Sequence, residues 1–122
     1  NAIALTKQTA SSGGPRSLRD IGSIEDVAAR LVDSENKKSR GKANAKLRVF
    51  AERRKDSIEY YDIVYEKNVL GVRRVIQCTL ALDVDDAGSS TLYTLTVEED
   101  AERYDDAEAE MRAVADGFKI FR

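Results

Sequence analysis

The residues best suited to chemistry in this chain are carboxylates. Eight acidic side chains fall between Glu98 and Glu110, in the stretch LYTLTVEEDAERYDDAEAE that begins at Leu92. Such a crowd could hold a divalent cation, with Glu99, Asp100 and Glu102 as candidate ligands, or it could begin a solvated helix. The acids start where an alternating strand ends, and acidic side chains in a helix's first turns interact favourably with its unpaired N–H groups and macrodipole. A helix start is therefore expected, with Glu99 and Asp100 as first-turn acids and Asp105, Asp106, Glu108 and Glu110 facing water. Loose calcium binding is the alternative, because no ligand spacing supports a tight site. A second acidic stretch, DVDDAG, sets Asp83, Asp85 and Gly88 as in the first half of an EF-hand loop. Ala87 stands where a ligand is needed and Thr94 where the bidentate glutamate should be, so a polar hairpin turn is expected instead.

The opposite charge lies upstream. Lys37, Lys38, Arg40, Lys42, Lys46, Arg48, Arg53, Arg54 and Lys55 hold nine of the chain's 20 cationic side chains. The run has no interleaved aromatics and no recognised nucleic-acid motif, and the whole chain is acidic, so no nucleic-acid partner is expected. An acidic protein surface or anionic lipid headgroups would suit it, as would plain solvation. If a partner docks here, Lys37, Lys38, Arg40, Lys42, Arg53, Arg54 and Lys55 are the candidate contacts.

Other chemistry is sparse. Tyr60, Tyr61, Tyr65 and Tyr93 could stack on a ligand, but tyrosines on neighbouring strands are expected to pack across the sheet with their hydroxyl ends wet. The single cysteine, Cys78, lies in the apolar run RVIQCTLAL and reads as a small buried hydrophobe. There is no histidine, which excludes a histidine triad, an imidazole acid–base group and a histidine-containing zinc cluster. No glycine-rich phosphate loop, nucleophile elbow or defensible catalytic carboxylate pair is present, so no enzyme is expected.

These groups must be positioned by one domain of 122 residues, 42% hydrophobic and 34% charged, with no apolar run of membrane-spanning length. The net charge of −2 conceals a gradient along the chain. Residues 1–55 carry 13 basic and 6 acidic side chains (+7), residues 56–82 carry 3 and 4 (−1), and residues 83–122 carry 4 and 12 (−8). Either the two ends lie side by side when folded, or each offers its own docking surface.

Alternation predicts a strand at Ala2–Lys7, and QTASSGGPRS reads as a loop. Ser23 with Asp26 resembles a capping box ahead of Ile24, Val27, Ala28, Leu31 and Val32, which predicts a helix to about Ser34. NKKSRGKANAK reads as a mobile connection. Leu47, Val49 and Ala51 alternate with Arg48, Phe50 and Glu52 in a strand that forms a hairpin with Ile58–Tyr65. Val72–Leu82 is the most apolar strand and is expected to be central, Thr91–Val97 follows, and Tyr104, Ala107, Met111, Val114 and Phe118 mark a closing helix. The order strand, helix, four strands, helix predicts an α+β fold with a mainly antiparallel sheet sandwiched by helices. The N-terminus, NAIALTKQTA, begins inside a strand, which predicts a mature or truncated product.

From Leu18 onward the segments resemble the PsbP family of chloroplast and cyanobacterial proteins. LRDIGSIEDVAARLV resembles the family's helix start, SIEYYDIVYE its Tyr-Tyr strand, LYTLTVEEDAERY its Leu-Tyr-Thr-Leu strand, and VADGFKIF its Val-x-x-Ser-Phe ending. The resemblance implies a single PsbP-like domain over 1–122, an α/β/α sandwich without the family's N-terminal strands. The family's Tyr-Pro and Trp opening is absent, since the only proline is Pro15 and there is no Trp; its proposed histidine-containing metal positions cannot exist, and Gly117 replaces a Ser before Phe118.

The resemblance further implies a non-catalytic extrinsic protein of the thylakoid lumen, chloroplast or cyanobacterial, held peripherally to the membrane as a monomer within a hetero-oligomeric complex. Photosystem II is the implied partner, with retention of calcium and chloride as the implied role and no tightly bound cofactor. The LYTLTV form resembles the PsbP-like and PsbP-domain paralogues, which implies as the alternative a photosystem assembly factor or a lumenal subunit of the chloroplast NADH-dehydrogenase-like complex.

Overall fold

The computed structural model describes residues 2–10, 13–38 and 43–101. Within them the chain forms strand β1 (Ala2–Ala10), one turn of 3-10 helix (Leu18–Asp20), helix α1 (Ile24–Lys38), and strands β2 (Ala43–Lys55), β3 (Ile58–Val69), β4 (Val72–Val84) and β5 (Ser90–Asp100). All five strands join one sheet in the order β1-β5-β4-β3-β2, and every pairing is antiparallel. The α+β class and the antiparallel sheet agree with the alternating periods of the sequence. One helical layer lies among the described residues, while the expected closing helix falls on residues 102–122, outside them.

Short connections force the antiparallel order. Lys55 pairs with Ile58 across Asp56 and Ser57, and Val69 pairs with Val72 across Leu70 and Gly71. In both turns the two central residues have positive φ: 52° and 67° in the first, 52° and 86° in the second. This geometry matches the twist of the flanking strands and so closes the hairpin without splaying it. The third hairpin is the expected polar turn: Asp85 Oδ1 accepts the Ser89 N–H at 2.9 Å, and Gly88, at φ 87°, donates to the Asp85 carbonyl.

Helix α1 begins where Ser23 Oγ accepts the Asp26 N–H at 3.1 Å, with Glu25 and Asp26 in its first turn and Lys37 and Lys38 in its last, each sign favourable to the dipole. Its Ile24, Val27 and Ala28 are buried against Tyr61, Ile63, Tyr65, Ile76, Leu80 and Leu82 on one face of the sheet, with Leu31 and Val32 at the margin. Register places Val64, Val75, Leu95 and Val97 together on the other face, where they form a second cluster. The tyrosines divide accordingly: Tyr61 and Tyr65 pack under α1, and Tyr60 packs on the other face with Ile58, Ala81 and Tyr93. The expected wet ends hold only in part, since Tyr61 donates to the Gly22 carbonyl at 3.0 Å and Tyr65 to Glu35 at 3.1 Å.

Several boundaries differ from the sequence reading, and pairing explains each. Gln8–Ala10, read as loop, remain in β1 because they pair with Ser90–Leu92. The segment NKKSRGKANAK is largely regular: Asn36–Lys38 end α1, and β2 already runs from Ala43. A bulge at Arg48 breaks the alternation expected for Leu47, Val49 and Ala51, so Leu47 opposes Tyr65 while Val49 opposes Val64 on the other face. Cys78 is buried as expected, and burial pushes its thiol up to about 11.

Candidate functional site

The basic run is continuous in sequence but not in space. Strand β2 crosses the full sheet, roughly 40 Å at the usual rise per residue. Arg53, Arg54 and Lys55 therefore lie at the β2–β3 turn, whereas Lys37 and Lys38 lie at the opposite end, beside the start of β2. That end is clamped by Asn36, whose Oδ1 accepts the Ala45 N–H at 2.8 Å. Arg40 and Lys42 lie outside the described residues. The described docking candidates thus form two patches, which the sequence joins only by running along one strand.

At the β2–β3 end the cations have different surroundings. Arg53 Nε donates to Asp62 Oδ2 at 2.7 Å, and its guanidinium sits 4.1 Å from the Tyr60 ring centroid. The other oxygen of Asp62 accepts the hydroxyl of buried Thr79 at 2.8 Å. Arg53 is thereby a cation of the sheet itself. Arg54 reaches Glu59 only at 3.7 Å and its side chain is 68% exposed; Arg19 reaches Glu52 at 3.6 Å and is 73% exposed. Such loose, screened pairs contribute little to stability, and their charge remains open to a partner. Arg19, Glu52, Arg54, Glu59 and Tyr61 line a shallow cleft of about 310 Å³ here. Burial, and then the Glu52 carboxylate, raise the Tyr61 phenol above its ordinary range.

The far end carries a denser ladder. Lys67 Nζ lies 3.8 Å from Glu35 and 3.3 Å from Glu98, Arg74 donates to Glu98 and to Asp100 at 2.6 Å each, and Arg73 donates twice to Glu66 at 2.6 and 3.0 Å. The Arg73 hydrogen bond, with Arg48 3.7 Å away on the other carboxylate oxygen, holds Glu66 below the usual carboxylate range. Burial and the adjoining Glu35 push the Tyr65 phenol well up. The charge gradient resolves accordingly. Among the described residues, the acids of β5 pair with cations of β3 and β4, and the cations of β2 pair with acids of β3, so the middle segment bridges the two extremes.

The acidic candidates need correction. Glu99 and Asp100 are not first-turn helix acids: β5 continues through them, because Glu99 pairs with Val75 and Asp100 with Arg74. Adjacent strand residues point to opposite faces, so their carboxylates do not converge on one ion. Glu99 is 3% exposed and accepts the Asp100 N–H at 3.0 Å, while Asp100 is engaged by Arg74. Glu102 lies outside the described residues. Among those described, no group of three or more His, Cys, Asp or Glu could hold a metal ion. No described helix is long and apolar enough to cross a membrane.

What sequence reasoning missed is an apolar tip. Val69, Leu70 and Val72 at the β3–β4 turn are 36%, 79% and 57% exposed. The signal was present in NVLG, where Leu takes the turn position at which Asn or Asp usually stands.

The sequence profile described as PsbP matches residues 4–120. Among solved structures, the chain is similar to the solution structure of cyanobacterial PsbP (CyanoP) from Synechocystis sp. PCC 6803, with 22% identity and a TM-score of 0.70 over 96% of this chain and 66% of that one. It is also similar to the crystal structure of PA94, a protein of unknown function from Pseudomonas aeruginosa, with 11% identity and a TM-score of 0.53 over 100% of this chain and 86% of that one. No curated protein sequence matches. At these identities the structural likenesses bear on the fold.

Proposed function

Because the chain belongs to the PsbP family, we propose that it is a non-catalytic accessory protein of the thylakoid lumen that docks peripherally on photosystem II and helps to retain calcium and chloride there. The family match across residues 4–120 carries this reading. The surface supports it in kind, since Arg19 and Arg54 at the β2–β3 end are exposed and held only by long ion pairs. Such cations complement an acidic protein surface and steer its approach. The reading routes no cation through Glu99 and Asp100, whose carboxylates diverge; ion retention would follow from docking itself.

The test is co-sedimentation of the chain with salt-washed thylakoid membranes, followed by crosslinking to identify the neighbouring subunit. Rebinding in one-to-one ratio beside the photosystem II core is expected, weakening steeply with ionic strength because exposed charge pairs are screened within about 8 Å at physiological salt. Binding indifferent to salt, or none, would defeat the reading. Crosslinks confined to immature complexes would replace it with an assembly factor, and crosslinks to the NADH-dehydrogenase-like complex would replace the partner.

A further inference from the structure

We infer that the β3–β4 turn is a membrane-contact tip, with Leu70 entering the interfacial layer of an anionic bilayer and Lys37 and Lys38 meeting its headgroups. Three observations carry this. First, Leu70 is 79% exposed and adopts a left-handed backbone at φ 52°, an unfavourable conformation for a bulky side chain that Asn or Gly would relieve. Neither the fold's packing nor its turn chemistry calls for leucine at this position. Second, Val69 and Val72 are cross-strand partners on one face of the sheet, so they extend the apolar surface beside Leu70. Third, Lys37 and Lys38, both exposed, close α1 at this end, where Asn36 fastens the helix to β2, while the neighbouring Arg73 is engaged by Glu66 within the ion-pair ladder.

The shape selects a bilayer over a protein. Among the described residues Leu70 is the most exposed large hydrophobic side chain, and it stands in a two-residue turn between Val69 and Val72. A stable protein interface needs about 1,000 Å² of buried surface with complementary packing; a convex two-residue tip offers far less. A bilayer interface accepts a small apolar wedge with a basic rim, and anionic lipid adds attraction for each nearby cation.

The inference adds a contact surface to the peripheral docking proposed above and takes from that reading only the membrane setting. The chain lacks tryptophan, so Leu70→Trp installs a lone fluorescent reporter without losing the apolar tip. With phosphatidylcholine vesicles containing phosphatidylglycerol, its emission should shift to the blue, and with phosphatidylcholine alone it should not. Leu70→Asn keeps, or eases, the left-handed turn, so the variant should melt no lower than the parent while its affinity for the anionic vesicles falls about tenfold, or about 1.4 kcal/mol. Lys37→Glu with Lys38→Glu should weaken binding in low salt and flatten its salt dependence. An unshifted Leu70→Trp emission, or equal binding by Leu70→Asn, would overturn the inference. Rebinding to thylakoids that ignores Leu70→Asn would also overturn it while leaving the photosystem docking intact; loss of thylakoid rebinding with vesicle binding retained would defeat the docking and leave the tip.

Discussion

The two hairpins that share strand β3 close through turns of the same backbone type, yet they end in different chemistry. At one end Asp56 and Ser57 form a polar turn beside Arg53, Arg54, Glu59 and Asp62; at the other Leu70 and Gly71 form an apolar turn beside a ladder of tight ion pairs. Backbone geometry therefore says nothing about which turn can engage a partner. Side-chain content does: loose exposed cations suit an acidic protein surface, and an exposed leucine above lysines suits a membrane.

The strongest way to break the comparison is to remove the strand common to both hairpins. Ile63, fully buried under α1 at the middle of β3, should cost about 3 kcal/mol when changed to alanine, and urea unfolding should show both ends lost in one transition. Asp62→Ala acts more locally. It removes the carboxylate that accepts from the Arg53 guanidinium and the buried Thr79 hydroxyl, and should cost about 2 kcal/mol in the same measurement.

Glu66→Gln sharpens the comparison at the far end. It removes the charge-assisted bonds from Arg73 and should cost about 1 kcal/mol at neutral pH. The sign of its pH dependence follows from the depressed folded-state pKa of Glu66. The stabilisation is fully present above the ordinary value of 4.5 and is lost as pH falls through the lower folded-state value. Melting curves of parent and variant should accordingly converge in acid. Leu70→Asn should raise stability by about 0.5 kcal/mol by relieving the left-handed leucine, a gain visible as a small rise in melting temperature. Arg54→Glu with Lys55→Glu should have the smallest effect on folding, under about 0.5 kcal/mol, while lowering rebinding to salt-washed thylakoids; rebinding unchanged by this reversal would exclude the β2–β3 end as the docking surface.

Much of the fold was legible because its signals are local. The 3-4 spacing of Ile24, Val27, Ala28, Leu31 and Val32, and the serine before them, depend only on neighbours within one or two turns. The strands of the Tyr60–Tyr65 and Val75–Leu82 regions declare themselves by apolar content. Three features escaped that logic. The bulge at Arg48 reassigned the faces of β2 residues that simple alternation had placed together. Partner strands carried β1 on to Ala10 and β5 on to Asp100, past the residues at which their own patterns fade. Leu70 carried no periodic signal, since it stands in a two-residue turn and not within a strand.

From the residues alone came the absence of histidine, the order of the described strands and helix, the polar turn at Asp85 and the burial of Cys78. These depend on residue identity and short-range spacing. The sheet decided where charge ends up. Its order β1-β5-β4-β3-β2 places β3 and β4 between the acidic β5 and the basic β2, so the extremes of the chain's charge gradient each meet partners from the middle segment. A strand as long as the sheet also divides one basic run between two ends. Strand order and register are set by contacts between residues far apart in the chain, and those contacts assigned Arg53 to the sheet, Arg54 to solvent and Leu70 to an exposed tip.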